Sequence, residues 1–252
     1  MGKIKQFVLL AGILLLTGCS HKKSPASSAN NFPVTDTVAT TDTLLPQLPE
    51  PGETEQQLLA LGLVDIHELS PDILVELKYA TAHNFTKDTV YTDFNKAYLV
   101  RDVAERLSRV QNKLSKTFPG YKLLIYDAAR PLSAQRKLFD KVRGTANSKY
   151  VASPSHTGLH NYGVAVDLTI ADSLNCPIDM GTGFDYFGIE AHTTNEAQLI
   201  ETGKLTREQV DNRLLLRKLM REEGFRVLPH EWWHFNGYTL RDAKAKFRLL
   251  DF

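Results

Sequence analysis

The sequence is poor in cysteine, with only Cys19 and Cys176 in its 252 residues. Cys19 falls in the N-terminal segment discussed below, so the remainder of the chain has one cysteine and no internal partner for a disulfide. A domain of this length can build a sufficient apolar core without such a crosslink. Because no His–Asp relay is arranged around Cys176, we interpret it as an inert thiol and not as a nucleophile.

An excess of charge of one sign is also missing. The 30 basic and 29 acidic residues leave a formal net charge of +1, which gives no indication of a nucleic-acid-binding surface. The apolar run from Phe7 to Leu16 is far shorter than the roughly 20 residues that a helix needs to cross a bilayer. No internal repeat is visible, so the sequence gives no indication of a repeat architecture.

The N-terminus has the pattern of an export signal. Lys3 and Lys5 precede the short apolar run, and a basic start followed by such a run predicts a secretory signal peptide. The run ends in Leu16-Thr-Gly-Cys19, which resembles a bacterial lipobox. That resemblance implies that residues 1–18 are removed and that the sulfur of Cys19 receives a diacylglyceryl group. The alternative is an ordinary signal peptide with an incidental cysteine.

The composition then predicts a tether followed by one domain. Residues 19–58 are rich in Ser, Thr, Pro and Asn and poor in apolar residues, so they are predicted to form a flexible tether. Residues 59–252 have the length of a single domain. We therefore expect an exported protein, held in the bacterial cell envelope by its lipid anchor alone, with the domain on the periplasmic side.

Strand and helix patterns are interleaved irregularly along this domain. Helical patterns lie between Ala97 and Leu114, from a predicted N-cap at Ser133 to Gly144, and from a Thr206/Gln209 capping box to Glu223. Apolar runs and alternating residues predict strands at 64–66, 73–77, 122–126, 163–170 and 225–228. This arrangement favours an α+β fold: a single domain with a small, mainly antiparallel sheet flanked by helices.

Two clusters of metal-ligating and acidic residues are the main functional signal. They are His160-Asn-Tyr-Gly-Val-Ala-Val-Asp167 and Glu231-Trp-Trp-His234. Two imidazoles and one carboxylate are a donor set typical of a catalytic zinc site, which keeps a fourth position open for water. The second carboxylate then has a role, because water activated by a metal needs a base to take its proton. The clusters indicate a hydrolase.

Geometry restricts how these clusters can meet. On one extended strand the Cα atoms of His160 and Asp167 would lie about 23 Å apart, too far for two ligands that each sit about 2 Å from one zinc ion. The chain must therefore turn between them, near Asn161 and Gly163. Glu231 and His234 would face opposite sides of a regular strand, so a tight turn or a bulge is required there.

These clusters, with three further segments, resemble the D-alanyl-D-alanine dipeptidases, a family of zinc peptidases. The resemblance covers most of the domain and includes Leu77–Phe85, Tyr126-Asp-Ala-Ala-Arg-Pro131 and Met180-Gly-Thr-Gly-Phe-Asp185. It implies one Zn²⁺ per chain with His160, Asp167 and His234 as ligands, Glu231 as catalytic base, Arg130 as the group that stabilises the transition state, and Asp185 near the amino group of the substrate.

The chain also departs from the family pattern around the pocket. Gly158 stands where a serine is usual, His83 where an acidic residue is frequent, and Gly183 where a larger residue is common. These differences leave the metal ligands intact and concern the substrate pocket. Of the other histidines, His156 is expected on the loop surface, and His230 is expected to orient the loop that carries the base.

The resemblance implies zinc-dependent hydrolysis of the D-Ala-D-Ala dipeptide to two D-alanines in the cell envelope. The nearest alternative is a D,D- or L,D-carboxypeptidase that trims peptidoglycan stem peptides with the same metal site. An open groove would favour it, whereas a closed pocket built by loops 81–95 and 171–205 would favour the dipeptidase. A third possibility is a non-catalytic, zinc-stabilised lipoprotein that binds wall peptides; it gives Glu231 and Arg130 no role.

Overall fold

The computed structural model describes residues 50–252. The expected signal peptide, the lipidated Cys19 and most of the expected tether lie outside this range. No helix within the described part of the chain is both long and apolar enough to span a bilayer.

Helices and short strands alternate along the described chain. The helices are α1 (Glu53–Ala60), α2 (Arg101–Thr117), α3 (Leu132–Val142), α4 (Glu196–Glu201), α5 (Arg207–Glu222) and α6 (Leu240–Lys246). The strands are β1 (Leu63–Asp65), β2 (Leu74–Val75), β3 (Tyr98–Val100), β4 (Lys122–Asp127), β5 (Ala165–Ala171), β6 (Arg226–Leu228) and β7 (Glu231–Asn236).

The strands form one larger and one smaller sheet. The larger sheet has five strands in the order β2-β4-β5-β7-β6, in which β2 runs parallel to β4 and the other neighbours are antiparallel. Strands β1 and β3 form a separate antiparallel pair. The predicted α+β class with a mainly antiparallel sheet is confirmed, and the parallel pairing of β2 with β4 makes the larger sheet mixed.

Strand β5 lies in the middle of the larger sheet, and all of its residues are buried. The alternation seen in the sequence therefore separates two buried faces: one packs into the apolar core, and the other carries Asp167. Helix α2 packs against β4 and α5. It presents Val103, Leu107, Val110 and Leu114, each fully buried, which is the spacing expected for one apolar face of a helix.

Two helix starts illustrate what local sequence signals can specify. At α5 the Thr206 hydroxyl accepts a hydrogen bond from the Gln209 amide at 3.1 Å, and the Gln209 side chain accepts one from the Thr206 amide at 2.8 Å. The predicted capping box is therefore present. The predicted cap at Ser133 is wrong, because α3 begins at Leu132 after Pro131. The Ser133 amide instead donates to the carbonyl of Phe252, at 3.0 Å.

Helix α1 begins inside the segment expected to be tether. Leu58 is fully buried, and the buried Glu55 carboxylate accepts a hydrogen bond from the Tyr98 hydroxyl at 3.0 Å. Residues 53–58 are therefore part of the folded structure. Their few apolar residues gave a weak signal, since one buried leucine and several polar contacts attach the helix, among them the hydrogen bond from the Thr54 amide to Asp93 at 2.8 Å and the ion pair of Glu55 with Lys96 at 3.4 Å.

Candidate metal centre

A tight turn brings His160 towards Asp167. His160 lies in a one-turn 3₁₀ helix, Leu159–Tyr162, which ends at Gly163 in the left-handed conformation with φ +65°. A Cβ atom at this glycine would come within 2.7 Å of the Leu63 side chain. Strand β5 starts two residues later, and the His160 Nε2 atom lies 3.3 Å from Oδ1 of Asp167. The turn that zinc ligation requires is present.

An irregularity in β7 brings Glu231 to the same side as His234. Leu228 of β6 pairs with Glu231, whereas the preceding Val227 pairs with Phe235. One step along β6 thus corresponds to four residues along β7, and this bulge breaks the normal alternation of the strand. As a result, Oε2 of Glu231 lies 3.9 Å from Nδ1 of His234.

The three expected ligands converge in the protein interior. The His160 Nε2 atom lies 3.1 Å from Nδ1 of His234, and that atom lies 2.9 Å from Oδ1 of Asp167. Their exposed fractions are 4%, 8% and 3% for His160, His234 and Asp167. Their ligand atoms are close enough together to hold one metal ion, and two imidazoles with a carboxylate suit zinc.

Both imidazoles are oriented by hydrogen bonds at their outer nitrogens. His160 Nδ1 lies 2.7 Å from the carbonyl oxygen of Ala128, and His234 Nε2 lies 2.7 Å from Oδ1 of Asn236. Because both oxygens can only accept, the outer nitrogens carry protons; in a neutral imidazole the inner nitrogen then presents its lone pair to a metal. Two lone pairs and a carboxylate oxygen around one point repel each other unless a cation lies between them.

Neither Ala128 nor Asn236 was predicted from the sequence. Asn236 follows His234 by two residues on the same strand, so the period-two pattern of a strand was an available signal for it. No side-chain signal exists for Ala128, since its carbonyl makes the contact.

The segment 128–130 is joined to 160–161 by two further hydrogen bonds. The Arg130 amide donates to the His160 carbonyl at 3.0 Å, and the side-chain amide of Asn161 donates to the Arg130 carbonyl at 2.9 Å.

Arg130 is fixed beside this centre. Its Nε donates to Oδ2 of the fully buried Asp127 at 2.9 Å, and its Nη1 donates to Oε1 of Gln135 at 2.9 Å. Nη2 also bonds to Asp127 and lies 3.7 Å from Oδ2 of Asp167. The Tyr91 hydroxyl holds the other oxygen of Asp127 at 2.6 Å. These contacts leave one N–H on each terminal nitrogen of Arg130 for another acceptor.

The carboxylates around the centre have different electrostatic environments. Burial alone would raise the pKa of Asp167, but His160 and His234 hold it well below the ordinary value. Burial raises the pKa of Glu231 to about 7. Burial and the charge of Asp167 together raise the pKa of Asp185 well above the ordinary range. Asp167 therefore has the properties of an anionic ligand, while Glu231 is able to exchange a proton near neutral pH.

Asp185 lies in a left-handed conformation, with φ +59°. Both of its carboxylate oxygens accept from the Tyr79 hydroxyl, at 3.1 and 3.0 Å. The Tyr79 ring also lies under the Arg130 guanidinium, 5.2 Å from its central carbon. Tyr79 thus connects the two charged groups, a role that the sequence analysis did not assign although the residue lies within the motif from Leu77 to Phe85.

These groups line one cavity of about 370 Å³, which is near the lower end of the range of roughly 300–1,000 Å³ for ligand pockets. Loop 171–205 contributes Asp185 and Phe187 to its wall. Loop 81–95 does not line the cavity; it supports the wall through Phe85, whose ring centroid lies 5.1 Å from that of Phe187. The segment 149–152 forms a further part of the wall that the sequence did not indicate.

The two tryptophans between Glu231 and His234 lie in different places. Trp233 is buried and lines the cavity. Trp232 is also buried, but its indole nitrogen donates to Oγ1 of Thr182 at 2.8 Å, in a neighbouring depression. One of the two rings therefore contacts the candidate site.

The residues that depart from the family pattern lie at different distances from the cavity. Gly158 lines it, and a Cβ atom there would meet Ala152 at 3.6 Å and Asn161 at 3.7 Å, so a side chain fits. His83 and Gly183 lie outside the lining. As expected, His156 is on the surface; Cys176 is exposed as well.

His230 was expected to orient the loop that carries the base. It lines the cavity, and its exposed ring packs against the ring of His192, with 4.6 Å between the two ring centroids.

Comparisons with known proteins agree with the geometry. Residues 59–248 match the peptidase M15 family, described as D-Ala-D-Ala dipeptidase. The chain is 34% identical over 173 residues to a D-alanyl-D-alanine dipeptidase of Escherichia coli K12, covering 69% of this chain and 83% of that protein. It is 28% identical over 221 residues to a D-alanyl-D-alanine dipeptidase of Enterococcus faecium, covering 77% of this chain and 98% of that protein.

A solved structure is also similar to the chain. It is a vancomycin-resistance D,D-dipeptidase in complex with a D-Ala-D-Ala phosphinate analogue, with 20% sequence identity, a TM-score of 0.35, and coverage of 73% of this chain and 69% of that one. The family match extends over nearly all of the described residues, and it includes both clusters that meet at the candidate metal centre. The chain therefore belongs to the peptidase M15 family of D-Ala-D-Ala dipeptidases.

Proposed function

We propose that this chain binds one Zn²⁺ through His160, Asp167 and His234 and hydrolyses the D-Ala-D-Ala dipeptide to two D-alanines. The observation that carries the proposal is the convergence of two imidazole nitrogens and a carboxylate oxygen, with the outer nitrogen of each imidazole already hydrogen-bonded to an oxygen. When bound, zinc polarises a carbonyl group and lowers the pKa of a coordinated water to about 7. The remaining steps belong to residues of the chain.

Glu231 is the base of the proposed reaction. Its carboxylate lines the cavity and lies 3.9 Å from the ligand atom of His234. It is not needed as a metal ligand, because His160, Asp167 and His234 already provide three. It takes a proton from the attacking water and delivers it to the nitrogen of the leaving D-alanine. Burial raises the pKa of this carboxyl group, which makes the carboxylate a stronger proton acceptor than an exposed one.

Arg130 stabilises the negative charge that forms on the carbonyl oxygen of the substrate. Asp127 and Gln135 fix the guanidinium in place, so the N–H groups that remain point without reorganisation towards an oxygen in the cavity. Such a preorganised donor stabilises a transition state by about 3 to 4 kcal/mol.

Asp185 binds the substrate's ammonium group. A buried carboxylate whose pKa lies well above its ordinary range is stabilised when a cation arrives. The Tyr79 hydroxyl holds both carboxylate oxygens, which limits their rotation. A free amino group next to the scissile bond is what distinguishes a dipeptide from the end of a longer stem peptide, so Asp185 favours the dipeptide.

The deciding experiment compares turnover of free D-Ala-D-Ala with turnover of a stem pentapeptide ending in D-Ala-D-Ala, using the purified, zinc-loaded protein. We expect cleavage of the dipeptide and little cleavage of the pentapeptide. Preference for the pentapeptide would make the chain a D,D-carboxypeptidase. Turnover of neither, with zinc bound, would support the non-catalytic wall-peptide-binding alternative.

We further propose that the protein is exported and attached by lipid to the bacterial cell envelope, with its catalytic domain in the periplasm. The proposal rests on Lys3, Lys5, the apolar run and the lipobox-like Leu16-Thr-Gly-Cys19. Labelled fatty acid is expected to enter the wild-type protein and not Cys19→Ala. Equal labelling of the two proteins would contradict attachment at Cys19.

A further inference from the structure

A dipeptide carries a carboxylate as well as an ammonium group, and both lose water of hydration when it enters a small cavity. Leaving a charge in such a place without a partner is costly. This inference rests on the proposed function, in which Asp185 binds the substrate's ammonium group. The carboxylate end needs a cation or several N–H or O–H donors among the residues that line the cavity.

Arg130 is poorly suited to that role, although it lines the cavity. Three of its N–H groups are engaged by Asp127 and Gln135, and the other two are needed at the scissile carbonyl. Gln135 has no free amide group either, because its Nε2 donates to the carbonyl of Ala152 at 2.7 Å. The carboxylate must therefore find its partner elsewhere on the wall.

Lys149 is the other lysine or arginine in the lining of this cavity. Within residues 50–252, its ammonium group forms no hydrogen bond or ion pair, and it lies 5.1 Å from the centroid of the Tyr150 ring. An unpaired ammonium on a cavity wall can accept a carboxylate without first losing another partner.

The wall that carries Lys149 is itself held in place. The Tyr150 ring stacks on Phe187, with centroids 5.2 Å apart and ring planes within 11°. Phe187 follows Asp185 by two residues, so this aromatic pair joins the two charged parts of the wall. Burial lowers the pKa of the neighbouring His192, and the charges of His230 and Lys149 lower it further, against an opposing contribution from Glu190.

We propose that Lys149 binds the terminal carboxylate of the substrate and so makes the enzyme selective for substrates with a free C-terminus. The Lys149 ammonium pairs with the substrate's terminal carboxylate at the mouth of the cavity. Asp185 binds the substrate's own ammonium group, and Arg130 remains free for the carbonyl oxygen of the scissile bond. Selectivity for a short zwitterion then comes from two opposite charges on one wall.

The test combines a change in the enzyme with a change in the substrate. We would measure kcat and KM for D-Ala-D-Ala and for D-alanyl-D-alaninamide, which lacks the terminal charge, with wild type, Lys149→Gln and Lys149→Arg. Since hydrogen bonds to charged groups are stronger than neutral ones, Lys149→Gln should lower kcat/KM for the dipeptide about tenfold to a hundredfold, mainly through KM. The amide should lose little, and Lys149→Arg should keep most of the preference for the acid.

Lys116→Gln is the matched control, because it removes the same charge from an exposed lysine of α2 that does not line the cavity. It should change neither substrate's kinetics. Equal losses on acid and amide in Lys149→Gln, or no loss on either, would overturn the assignment.

A binding measurement separates this inference from the proposed function. Calorimetric titration of D-Ala-D-Ala into zinc-loaded Glu231→Gln, with and without Lys149→Gln, reports recognition without turnover. Binding that depends on Lys149 in a protein that hydrolyses no dipeptide would reject the proposed activity and keep the inference. If wild type hydrolyses the dipeptide but Lys149→Gln does not change binding, the proposed activity stands and the role of Lys149 is rejected. If the protein neither hydrolyses nor binds the dipeptide, both proposals are rejected.

Discussion

Asn236 accepts a hydrogen bond from Nε2 of His234 at 2.7 Å, and this bond turns the opposite nitrogen, Nδ1, towards Asp167 and His160. The orientation of one proposed zinc ligand is thus set by a side chain two residues further along the same strand. Removal of such an outer partner typically costs tenfold to a hundredfold in metal affinity.

We therefore expect Asn236→Ala to weaken zinc binding by about that factor, since the imidazole loses its fixed orientation. Zinc affinity would be measured by competition with a chromophoric chelator. Asn112→Ala, at an exposed position of α2, serves as the control. Unchanged affinity in Asn236→Ala would show that β7 alone orients His234.

Glu231→Gln should retain its zinc and lose most of its turnover. The amide keeps the size of the side chain but cannot accept a proton, so kcat should fall by about 10² to 10⁴. Metal content by elemental analysis and kcat would be measured on the same sample. Loss of zinc along with activity would identify Glu231 as a ligand and contradict its assignment as the base.

Arg130→Lys should separate two contributions of this side chain. A lysine keeps the positive charge near Asp127 but has no planar group to bond Gln135 at the same time. We expect kcat to fall by about 10² to 10³ with bound zinc unchanged. Unchanged kcat would leave Arg130 with a purely structural role.

Arg130→Ala should in addition destabilise the fold, because it leaves the fully buried Asp127 without its cation. Breaking a buried ion pair in this way costs about 3 to 5 kcal/mol of unfolding free energy. Denaturant unfolding of the two variants measures the difference. Equal stability of Arg130→Ala and wild type would show that Tyr91 alone compensates Asp127.

Gly163→Ala should destabilise the protein and displace His160. The residue has φ +65°, and its new methyl group would lie 2.7 Å from Leu63. Gly144→Ala is a close control, since it has φ +74° and no atom within 4 Å of the added Cβ. The control should lose only about 1 to 2 kcal/mol, and Gly163→Ala should lose more, together with zinc affinity. Equal losses of stability would mean that Leu63 moves aside.

The predicted part of the site consists of residues whose side-chain chemistry is unusual for their surroundings. His160, Asp167, Glu231 and His234 could be grouped from sequence because zinc chemistry requires that combination. The same requirement predicted a turn after His160 and either a tight turn or a bulge near Glu231; the structure has the turn at the first place and a bulge at the second. In both places, the requirement that the ligands meet at one metal ion predicted the backbone conformation better than local helix and strand propensities did.

The residues that escaped prediction act through the backbone or through distant packing. Ala128 contributes a carbonyl oxygen, which every residue has. Lys149 and Tyr150 belong to a polar segment whose place beside the cavity depends on the packing of α3 and on the ring of Phe187. The fold class followed from the interleaved patterns, whereas the parallel pairing of β2 with β4 depended on a two-residue strand with no signal of direction.

The hydrogen bonds that join 128–130 to 160–161 have a consequence for how the enzyme tolerates sequence change. The carbonyl that orients His160 and the side chain of Arg130 come from positions only two peptide units apart. Their separation is therefore fixed by covalent geometry and not by the relative placement of distant helices. Substitutions that loosen the outer helices should reduce the amount of folded enzyme long before they alter the turnover of each folded molecule.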